Sequence, residues 1–408
     1  MSEHDRLRLA VVSDAIYPFH LGGKELRYHE LLARLPERGI EVTLYTMHWW
    51  DKEPPVDSIT YRAISRLRPL YRAGHRSIAS GLLFALATLR LLWAPRPDIL
   101  EADHMPYLQL FPLWLVTRLR RIPLVVTWHE IWGPAYWQRY LPGWRGRLAA
   151  AIERWSTQLP DYIVAVSEET AERLRNMGVP PDHIMLIPAG VRATEIAATD
   201  PDPRAPDILS IGRLIQHKRH DLVISAFARL AAADPNLRLG IIGHGPDRAA
   251  LEAQVADLGI GGQITFHGSL DSFVDVWAFL RGARVLAAPS EREGFGLVVA
   301  EALAAGTPVV VSDHADNASR HLVDHGIDGS IIPAGDVEAL AAALSEWFRH
   351  EPSRAEATAR FERRHPQLTW NRTADVYAAL LRHITESPDP RAPRSAAEMP
   401  ESGKGGQP

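Results

Sequence analysis

The most informative stretch of the chain runs from Pro289 to Glu301 and reads PSEREGFGLVVAE. The apolar run before it, residues 285–288, predicts a buried parallel strand, and residues 297–305 predict a helix. A helix N-terminus then faces the carboxyl end of a strand, where its unpaired N–H groups and positive dipole suit a diphosphate. Glu293 and Glu301 flank the helix start and can accept hydrogen bonds from hydroxyls on either side of that phosphate.

The same spacing also fits an ordinary βα turn that carries two solvated glutamates. Three further segments bear on the choice. Residues 208–227 predict a strand, a Gly-Arg loop and a helix. In this loop the planar guanidinium of Arg213 and the flexible ammonium of Lys218 could both bind a phosphate. Residues 238–246 form a strand and a glycine turn without the third glycine of a dinucleotide fingerprint. In the third segment an apolar strand, residues 9–14, precedes a Gly-Gly-Lys-Glu helix start.

Together and in this order, the four segments resemble the signature of family 4 retaining glycosyltransferases, which share the two-domain GT-B fold. The resemblance rests on Glu-x7-Glu followed by ALAAGTPVV, on the Gly-Arg-Leu segment with its lysine, on the glycine turn and on the Gly-Gly-x-Glu loop. It implies that Glu293 contacts the transferred sugar, that Glu301 contacts the ribose, and that Arg213 and Lys218 hold the diphosphate. It also implies a nucleotide-sugar site lined by Gly22, Gly23, Gly243, Gly294, Phe295, Gly296, Leu297 and Glu301.

His129 directly follows the predicted strand 123–127, at the end of the strand where open α/β sheets bind ligands. The segment is similar to the Thr-x-His-Asp segment of the family, with Glu130 in place of the aspartate, and a structural histidine is the alternative. The resemblance therefore implies a catalytic set of His129, Arg213, Lys218 and Glu293.

Strands and helices alternate along the whole chain, which predicts an α/β protein with parallel sheets. With the resemblance, this gives a GT-B architecture of two Rossmann-like parallel-sheet domains facing a central cleft. The expected parts are an acceptor-side domain, a proline-rich linker, a nucleotide-sugar-binding domain, a helix that crosses back to the first domain and a disordered tail. Their bounds are residues 1–195, 196–206, 207–366, 367–386 and 387–408, respectively.

Composition limits the remaining partners. The 408 residues include 45 basic and 49 acidic side chains, so the net charge of −4 does not favour nucleic acid. Without cysteine there is no disulfide and no thiolate site, and two cations placed for phosphate predict a reaction that needs no metal and no cofactor. The acidic start of the chain, residues 1–5, does not resemble a signal peptide, so we expect a cytoplasmic location.

No acidic residue lies between Asp57 and Asp98, whereas seven arginines do. The run Ile78 to Trp93 predicts an amphipathic helix that is too short to span a bilayer. Such a basic and apolar face could make peripheral contact with an anionic membrane, at its inner face, or it could simply be solvated.

The sequence thus predicts a retaining glycosyltransferase that moves a hexose from GDP-mannose, UDP-glucose or UDP-N-acetylglucosamine to a hydroxyl acceptor. A glycan, a lipid-linked sugar or a small molecule could serve as that acceptor. Two alternatives stay open: a GT-B sugar-nucleotide epimerase, and a non-catalytic protein that binds sugar nucleotides.

Overall fold

The computed structural model describes residues 6–50, 58–72, 75–270, 272–349 and 353–386. It has two compact units, one formed by the described residues up to Gly190 with those from Trp370 onward, the other by Val191–Thr369. The tail predicted at 387–408 lies outside the described residues.

The first unit is built on a parallel sheet of seven strands in the order β3-β2-β1-β6-β7-β8-β9, and β4 and β5 form a short antiparallel pair. Its strands are β1 (Leu7–Val12), β2 (Ile40–Met47), β3 (Thr60–Ser65), β4 (Tyr71–Arg72), β5 (His75–Arg76), β6 (Ile99–Asp103), β7 (Leu124–Trp128), β8 (Tyr162–Ala165) and β9 (Ile184–Leu186). Its helices before residue 190 are α1 (Gly23–Leu32), α2 (Ile78–Ala87), α3 (Leu110–Arg120), α4 (Gly133–Tyr140), α5 (Trp144–Ser156) and α6 (Glu168–Asn176).

The second unit is built on a parallel sheet of six strands in the order β12-β11-β10-β13-β14-β15. The strands are β10 (Ile208–Ile211), β11 (Leu239–Ile242), β12 (Ile264–Gly268), β13 (Val285–Ala288), β14 (Val309–Ser312) and β15 (Gly329–Ile332). The helices are α7 (Ala193–Ala198), α8 (His220–Ala231), α9 (Arg248–Asp257), α10 (Phe273–Gly282), α11 (Leu297–Ala304), α12 (Val337–Arg349) and α13 (Arg354–Arg364).

Both sheets are buried on both faces, which explains why their central strands are continuous apolar runs. Along β1, Leu9 and Val11 pack into one hydrophobic cluster, whereas Ala10 and Val12 pack into another on the opposite face. In the second sheet the neighbouring residues Ile208 and Leu209 of β10 likewise enter different clusters. The predicted α/β class with two Rossmann-like parallel-sheet domains is thus confirmed.

The last helix, α14 (Trp370–Glu386), packs on the first sheet. Its Tyr377 and Leu381 are fully buried in the same cluster as Leu9, and Asp375 forms an ion pair of 2.7 Å with Arg38. These apolar contacts, made at helical spacing, attach the end of the described chain to the first unit.

Two sequence-based bounds differ from the structure. The predicted linker, residues 196–206, lies inside the second unit, because Ile196 of α7 is fully buried in a cluster of that unit. The amphipathic helix expected from Ile78 to Trp93 ends at Ala87 and continues as a 3-10 turn, Thr88–Leu92.

Candidate functional site

Each parallel sheet has one point at which the strand order reverses. In the second sheet β10 lies between β11 and β13, and in the first sheet β1 lies between β2 and β6. Ligands of open α/β sheets bind outside the carboxyl ends of the strands at such a switch point. The residues predicted to hold a diphosphate and a sugar directly follow β10 and β13, so the fold brings them to the switch point of the second sheet.

The turn between β13 and α11 depends on Gly296, which precedes the helix with φ at 92° and ψ at 49°. This backbone conformation is left-handed and favours glycine. A Cβ atom on Gly296 would lie 2.3 Å from the Cβ of Ser319 and 3.5 Å from the Cγ of Glu293. The Glu293 side chain therefore lies beside the N-terminus of α11. Gly294, Phe295 and Leu297 are half-buried around it.

Lys218, in the loop after β10, forms an ion pair with Glu293. The two side chains are 20% and 23% exposed, so the pair is largely shielded from water. Two further contacts hold the same loops together: the backbone N–H of Glu291 donates to the carbonyl of His217 at 2.8 Å, and Arg219 pairs with Glu291 at 2.7 Å. A cation, a carboxylate and a helix N-terminus thus lie together at this switch point.

Arg213 is exposed in the same loop, and its carbonyl oxygen lies 3.3 Å from Nε2 of His220. His220 is buried, with Nδ1 lying 3.0 Å from the hydroxyl of Ser210. Burial, together with the charge of Lys218, lowers the pKa of His220 to about 4. The imidazole is therefore neutral at physiological pH and holds the loop by hydrogen bonds.

Glu301 and Gly243 complete the predicted residues of the second unit. Glu301 is buried one turn into α11, and its Oε1 accepts a hydrogen bond of 3.2 Å from the indole of Trp277. A Cβ atom on Gly243 would lie 1.9 Å from the carbonyl oxygen of Gly212. Glycine at position 243 thus lets the turns after β10 and β11 pack backbone against backbone.

In the first unit, Gly22 precedes α1 and Gly23 begins it. A Cβ atom on Gly22 would lie 2.4 Å from Oε2 of Glu25, whereas one on Gly23 would meet no atom within 4 Å. Burial would raise the pKa of Glu25, but Lys24 and His20 lower it to about 2. A negative charge consequently stands at the start of α1, where the resemblance implies a phosphate.

A buried charge cluster that the sequence did not reveal lies at the switch point of the first sheet. The Lys24 ammonium is 3.3 Å from Asp14 and 3.2 Å from Asp103, and Arg76 pairs with Asp14. Burial opposes ionisation of Asp14, but Arg76 and Lys24 hold its pKa below the ordinary value. Burial raises the pKa of Asp103 to about 6. Asp103 is the last residue of β6 and Asp14 follows β1 by two positions, and this place at the carboxyl end of an apolar strand was the signal available in the sequence.

His129 is half-buried after β7, and its neighbour His104, after β6, is almost fully buried. The backbone N–H of His129 donates to Nδ1 of His104 at 3.4 Å, and the rings are 5.8 Å apart. Burial lowers the pKa of His104 to about 3 and that of His129 well below its ordinary value. In the described part of the chain, neither Nε2 atom has a hydrogen-bond partner. The two rings are thus neutral groups with hydrogen-bonding capacity left over.

The segment after His129 is held by Glu153, a fully buried carboxylate of α5. It accepts hydrogen bonds from the Tyr107 hydroxyl at 2.6 Å, from the backbone N–H groups of Trp132 and Gly133 at 2.7 and 2.8 Å, and from the Trp137 indole at 3.0 Å. Glu153 therefore satisfies N–H groups at the start of α4 from a different helix. Nothing in its sequence neighbourhood marks this role.

Among the residues that the structure describes, no group of three or more His, Asp or Glu side chains is arranged to hold a metal ion. None of the helices in these ranges combines the length and the hydropathy that a transmembrane span requires.

Comparison with known proteins agrees with this geometry. The model of Glycosyltransferase Family 4 matches residues 21–195, and the model of Glycosyl transferases group 1 matches residues 191–364. A D-inositol 3-phosphate glycosyltransferase of Geodermatophilus obscurus is 28% identical over 90% of this chain and 85% of its own length. A glycogen synthase of Mycobacterium tuberculosis is 26% identical over 97% of this chain and its own full length.

Solved structures share the fold at lower identity. Sucrose-phosphate synthase from Thermosynechococcus elongatus superposes with a TM-score of 0.75 and 20% identity, covering 93% of this chain and 99% of that chain. HepE of Anabaena, solved in complex with UDP and glucose, superposes with a TM-score of 0.71 and 16% identity, covering 92% and 100%. The two family models together cover most of the chain, both sheets have the expected topology, and this chain belongs to the family 4-like glycosyltransferases of GT-B fold.

Proposed function

We propose that the protein is a retaining hexosyltransferase, which uses a nucleoside-diphosphate sugar as donor and a hydroxyl group as acceptor. The observation that carries this proposal is the ion pair between Lys218 and Glu293 beside the N-terminus of α11. A cation and a helix N-terminus suit a diphosphate, and a carboxylate suits the hydroxyls of the attached sugar.

In the proposed reaction, the bond between the anomeric carbon and the phosphate oxygen breaks, and the acceptor oxygen forms its bond on the same face of the sugar. Lys218, Arg213 and the first N–H groups of α11 stabilise the charge that develops on the leaving diphosphate. Glu293 binds the sugar and Glu301 the ribose, and neither forms a covalent bond to the sugar. A phosphate oxygen takes the proton of the acceptor hydroxyl. The two cationic side chains take the place of a divalent metal, so no metal or other cofactor is required.

The proposed donors are GDP-mannose, UDP-glucose and UDP-N-acetylglucosamine. UDP-glucose is the first to test, because a solved neighbour of the same fold is in complex with it. The curated relatives differ in name: one is a D-inositol 3-phosphate glycosyltransferase and another is a glycogen synthase. A glycan, a lipid-linked sugar or a small polar molecule therefore remains the proposed acceptor class.

A thermal-shift screen of the three donors and of UDP and GDP tests donor binding directly. A ligand that binds only the folded state raises the melting temperature, and the rise grows with the logarithm of the ligand concentration relative to its Kd. Release of the nucleoside diphosphate is then measured with candidate acceptors, and the anomeric configuration of the product is determined by NMR. Binding without turnover would favour a sugar-nucleotide-binding protein, and deuterium from the solvent in the recovered donor would identify an epimerase.

We also propose that the first unit makes peripheral contact with an anionic membrane at its cytoplasmic face. Ile78, Leu82 and Leu86 lie four positions apart along α2, so they share one helix face, and they are 66%, 47% and 52% exposed. Trp93, just beyond the helix, is 81% exposed. No acidic residue occurs between residues 58 and 97, whereas arginines do, and this combination fits an anionic lipid surface.

Flotation with liposomes that contain phosphatidylglycerol tests this contact at low and at physiological salt. Leu82→Ser and Leu86→Ser together should reduce flotation, because they remove apolar area from the exposed face of α2. Leu258→Ser is the matched control, since Leu258 is 45% exposed in the second unit. If the wild-type protein stays with the unbound fraction at low salt, the membrane contact is refuted, a soluble acceptor is favoured, and the arginines are either a solvated face or a site for an acceptor phosphate.

A further inference from the structure

Asn317, just after β14, is a fully buried polar residue that none of the motifs explains. Its amide nitrogen lies 3.1 Å from the carbonyl oxygen of Ser312 and 3.3 Å from the hydroxyl of Ser312. Its amide oxygen accepts hydrogen bonds from the backbone N–H and the hydroxyl of Ser319, at 3.2 and 2.6 Å. Both polar atoms of the side chain are therefore used to fix the shape of segment 312–319.

This segment holds Glu293 through its backbone. The N–H of Glu293 donates to the carbonyl of Asp316 at 3.0 Å, and the carbonyl of Glu293 accepts from the N–H of Ala318 at 2.9 Å. The two bonds lie on either side of Asn317 and form a parallel bridge between Glu293 and Asn317. The side-chain bonds of Asn317 fix its own backbone and that of its two neighbours. Because these neighbours bond to Glu293, they also set the position of the Glu293 backbone.

The same segment also contacts both ends of the turn after β13. The hydroxyl of Ser312 donates to the carbonyl of Ser290 at 2.5 Å, at the start of the turn. At its end, the Cβ of Ser319 lies where a Cβ on Gly296 would come within 2.3 Å of it. Segment 312–319 thus lies against the turn from Ser290 to Gly296, and the Asn317 side chain connects the two serines.

We infer that Asn317 is a positioning residue for Glu293 in the recognition of the donor sugar. It acts through the bridge to the Glu293 backbone and through Ser312 and Ser319, and it does not touch the substrate itself. This inference rests on the proposed function, in which the Glu293 carboxylate binds hydroxyls of the transferred sugar. A displacement of the Glu293 backbone would misdirect this carboxylate, whereas the phosphate contacts of Lys218 and of α11 would be retained.

The test compares the binding of UDP-glucose and of UDP by isothermal titration calorimetry, or of GDP-mannose and GDP if the wild-type protein prefers that pair. Asn317→Asp keeps the size of the side chain and its acceptor oxygen. It places a carboxylate oxygen opposite the Ser312 carbonyl and so removes both bonds that the amide nitrogen donates. We expect the affinity for the sugar nucleotide to fall about tenfold, because the displaced Glu293 carboxylate loses a hydrogen bond to a sugar hydroxyl. The affinity for the bare nucleotide, which has no such hydroxyl, should change less than about threefold.

A double mutant separates positioning from general stability. In a Glu293→Ala background, Asn317→Asp should weaken sugar-nucleotide binding less than about twofold further, because residues that act through one contact are not additive. Thr307→Val is the matched control: Thr307 is buried at the other end of β14 and donates to the Leu280 carbonyl at 2.6 Å. This variant should lower the melting temperature without changing the ratio of the two affinities.

Ser319→Ala keeps the inference testable if Asn317→Asp does not fold. It removes the bond of 2.6 Å to the Asn317 amide oxygen and retains the Cβ atom, and it should shift the same ratio by about threefold. The inference is overturned if Asn317→Asp weakens both ligands equally, or if its effect adds fully to that of Glu293→Ala. If the wild-type protein binds no sugar nucleotide at all, it is the proposed function that fails.

Discussion

Replacing Gly296 by alanine should destabilise the second unit for two separate reasons. The φ angle of 92° costs an ordinary L residue about 1–2 kcal/mol. The new Cβ atom would lie 2.3 Å from the Cβ of Ser319, far inside van der Waals contact, and relieving such overlap costs about 1–3 kcal/mol. Alanine also reduces the entropy of the unfolded chain, which offsets about 0.4–1 kcal/mol. The expected loss in the free energy of unfolding is therefore about 1–5 kcal/mol, centred on about 3 kcal/mol.

Two other glycines of the same unit separate these contributions. Gly259 has φ at 70°, and a Cβ atom there would meet nothing within 4 Å, so Gly259→Ala carries only the conformational cost of about 1 kcal/mol. A Cβ atom on Gly262 would also be in open space, and its φ is not in the left-handed range. Gly262→Ala should therefore leave the stability nearly unchanged.

Scanning calorimetry measures the outcome as melting temperature. For a unit of 150–250 residues, a change of 1 kcal/mol moves the melting temperature by about 2–4 °C. At the central value of about 3 kcal/mol, Gly296→Ala should lower it by roughly 6–12 °C, and Gly259→Ala by roughly 2–4 °C. Nucleotide binding should weaken only in Gly296→Ala, because only this change displaces the N-terminus of α11. Equal losses of stability in Gly296→Ala and Gly259→Ala would refute the steric part of the reasoning.

Three further results are expected. Glu301→Ala should weaken binding of the bare nucleoside diphosphate and of the sugar nucleotide alike, by about 1.5–3 kcal/mol for a charged hydrogen bond. Glu293→Ala should weaken binding of the sugar nucleotide but not of the bare nucleotide. Identical losses for both ligands in both variants, measured by calorimetric titration, would contradict the assignment. Transfer activity should persist in excess EDTA, and a loss that Mg²⁺ or Mn²⁺ restores would show that the reaction needs a metal. The pKa of His220 is about 4 in the folded state and 6.5 ordinarily, so between these pH values the imidazole binds a proton only in the unfolded state. The free energy of unfolding should therefore fall as the pH drops from about 6.5 to about 4. Urea unfolding of His220→Asn, which can still bond to Ser210, should give a pH slope shallower by up to about 1.4 kcal/mol per pH unit, and parallel profiles would contradict this.

The central strands were predictable from the sequence, whereas three of the edge strands, β3, β9 and β15, were not. β10 and β13 are apolar runs because both of their faces are buried, and this pattern is visible without a structure. β3 lies at the edge of its sheet with most of its residues partly or fully exposed, and β15 begins with Gly329 and Ser330. Such edge strands lack the continuous apolar run, so their pairing with a neighbour decides their conformation.

The positions of candidate site residues followed from where strands end, but their partners did not. Asp103 and His104 come at the end of β6, as His129 comes at the end of β7, yet only His129 lies in a recognisable motif. Their perturbed pKa values result from burial, and burial depends on elements far away in the chain. Glu153, likewise, acquires its role only because α5 packs beside the start of α4.

For Lys218 and Glu293, the sequence could predict the role of each residue but not the contact between them. The motifs assigned Lys218 to a diphosphate and Glu293 to a sugar, but the structure joins the two side chains across 75 positions of sequence. A diphosphate that binds Lys218 has to compete with the Glu293 carboxylate for the same ammonium group. Its arrival would weaken the ion pair and leave the carboxylate with acceptor capacity for sugar hydroxyls. If Lys218 and Glu293 have the proposed roles, binding of the phosphate and binding of the sugar would therefore be coupled, through a contact that no single motif contains.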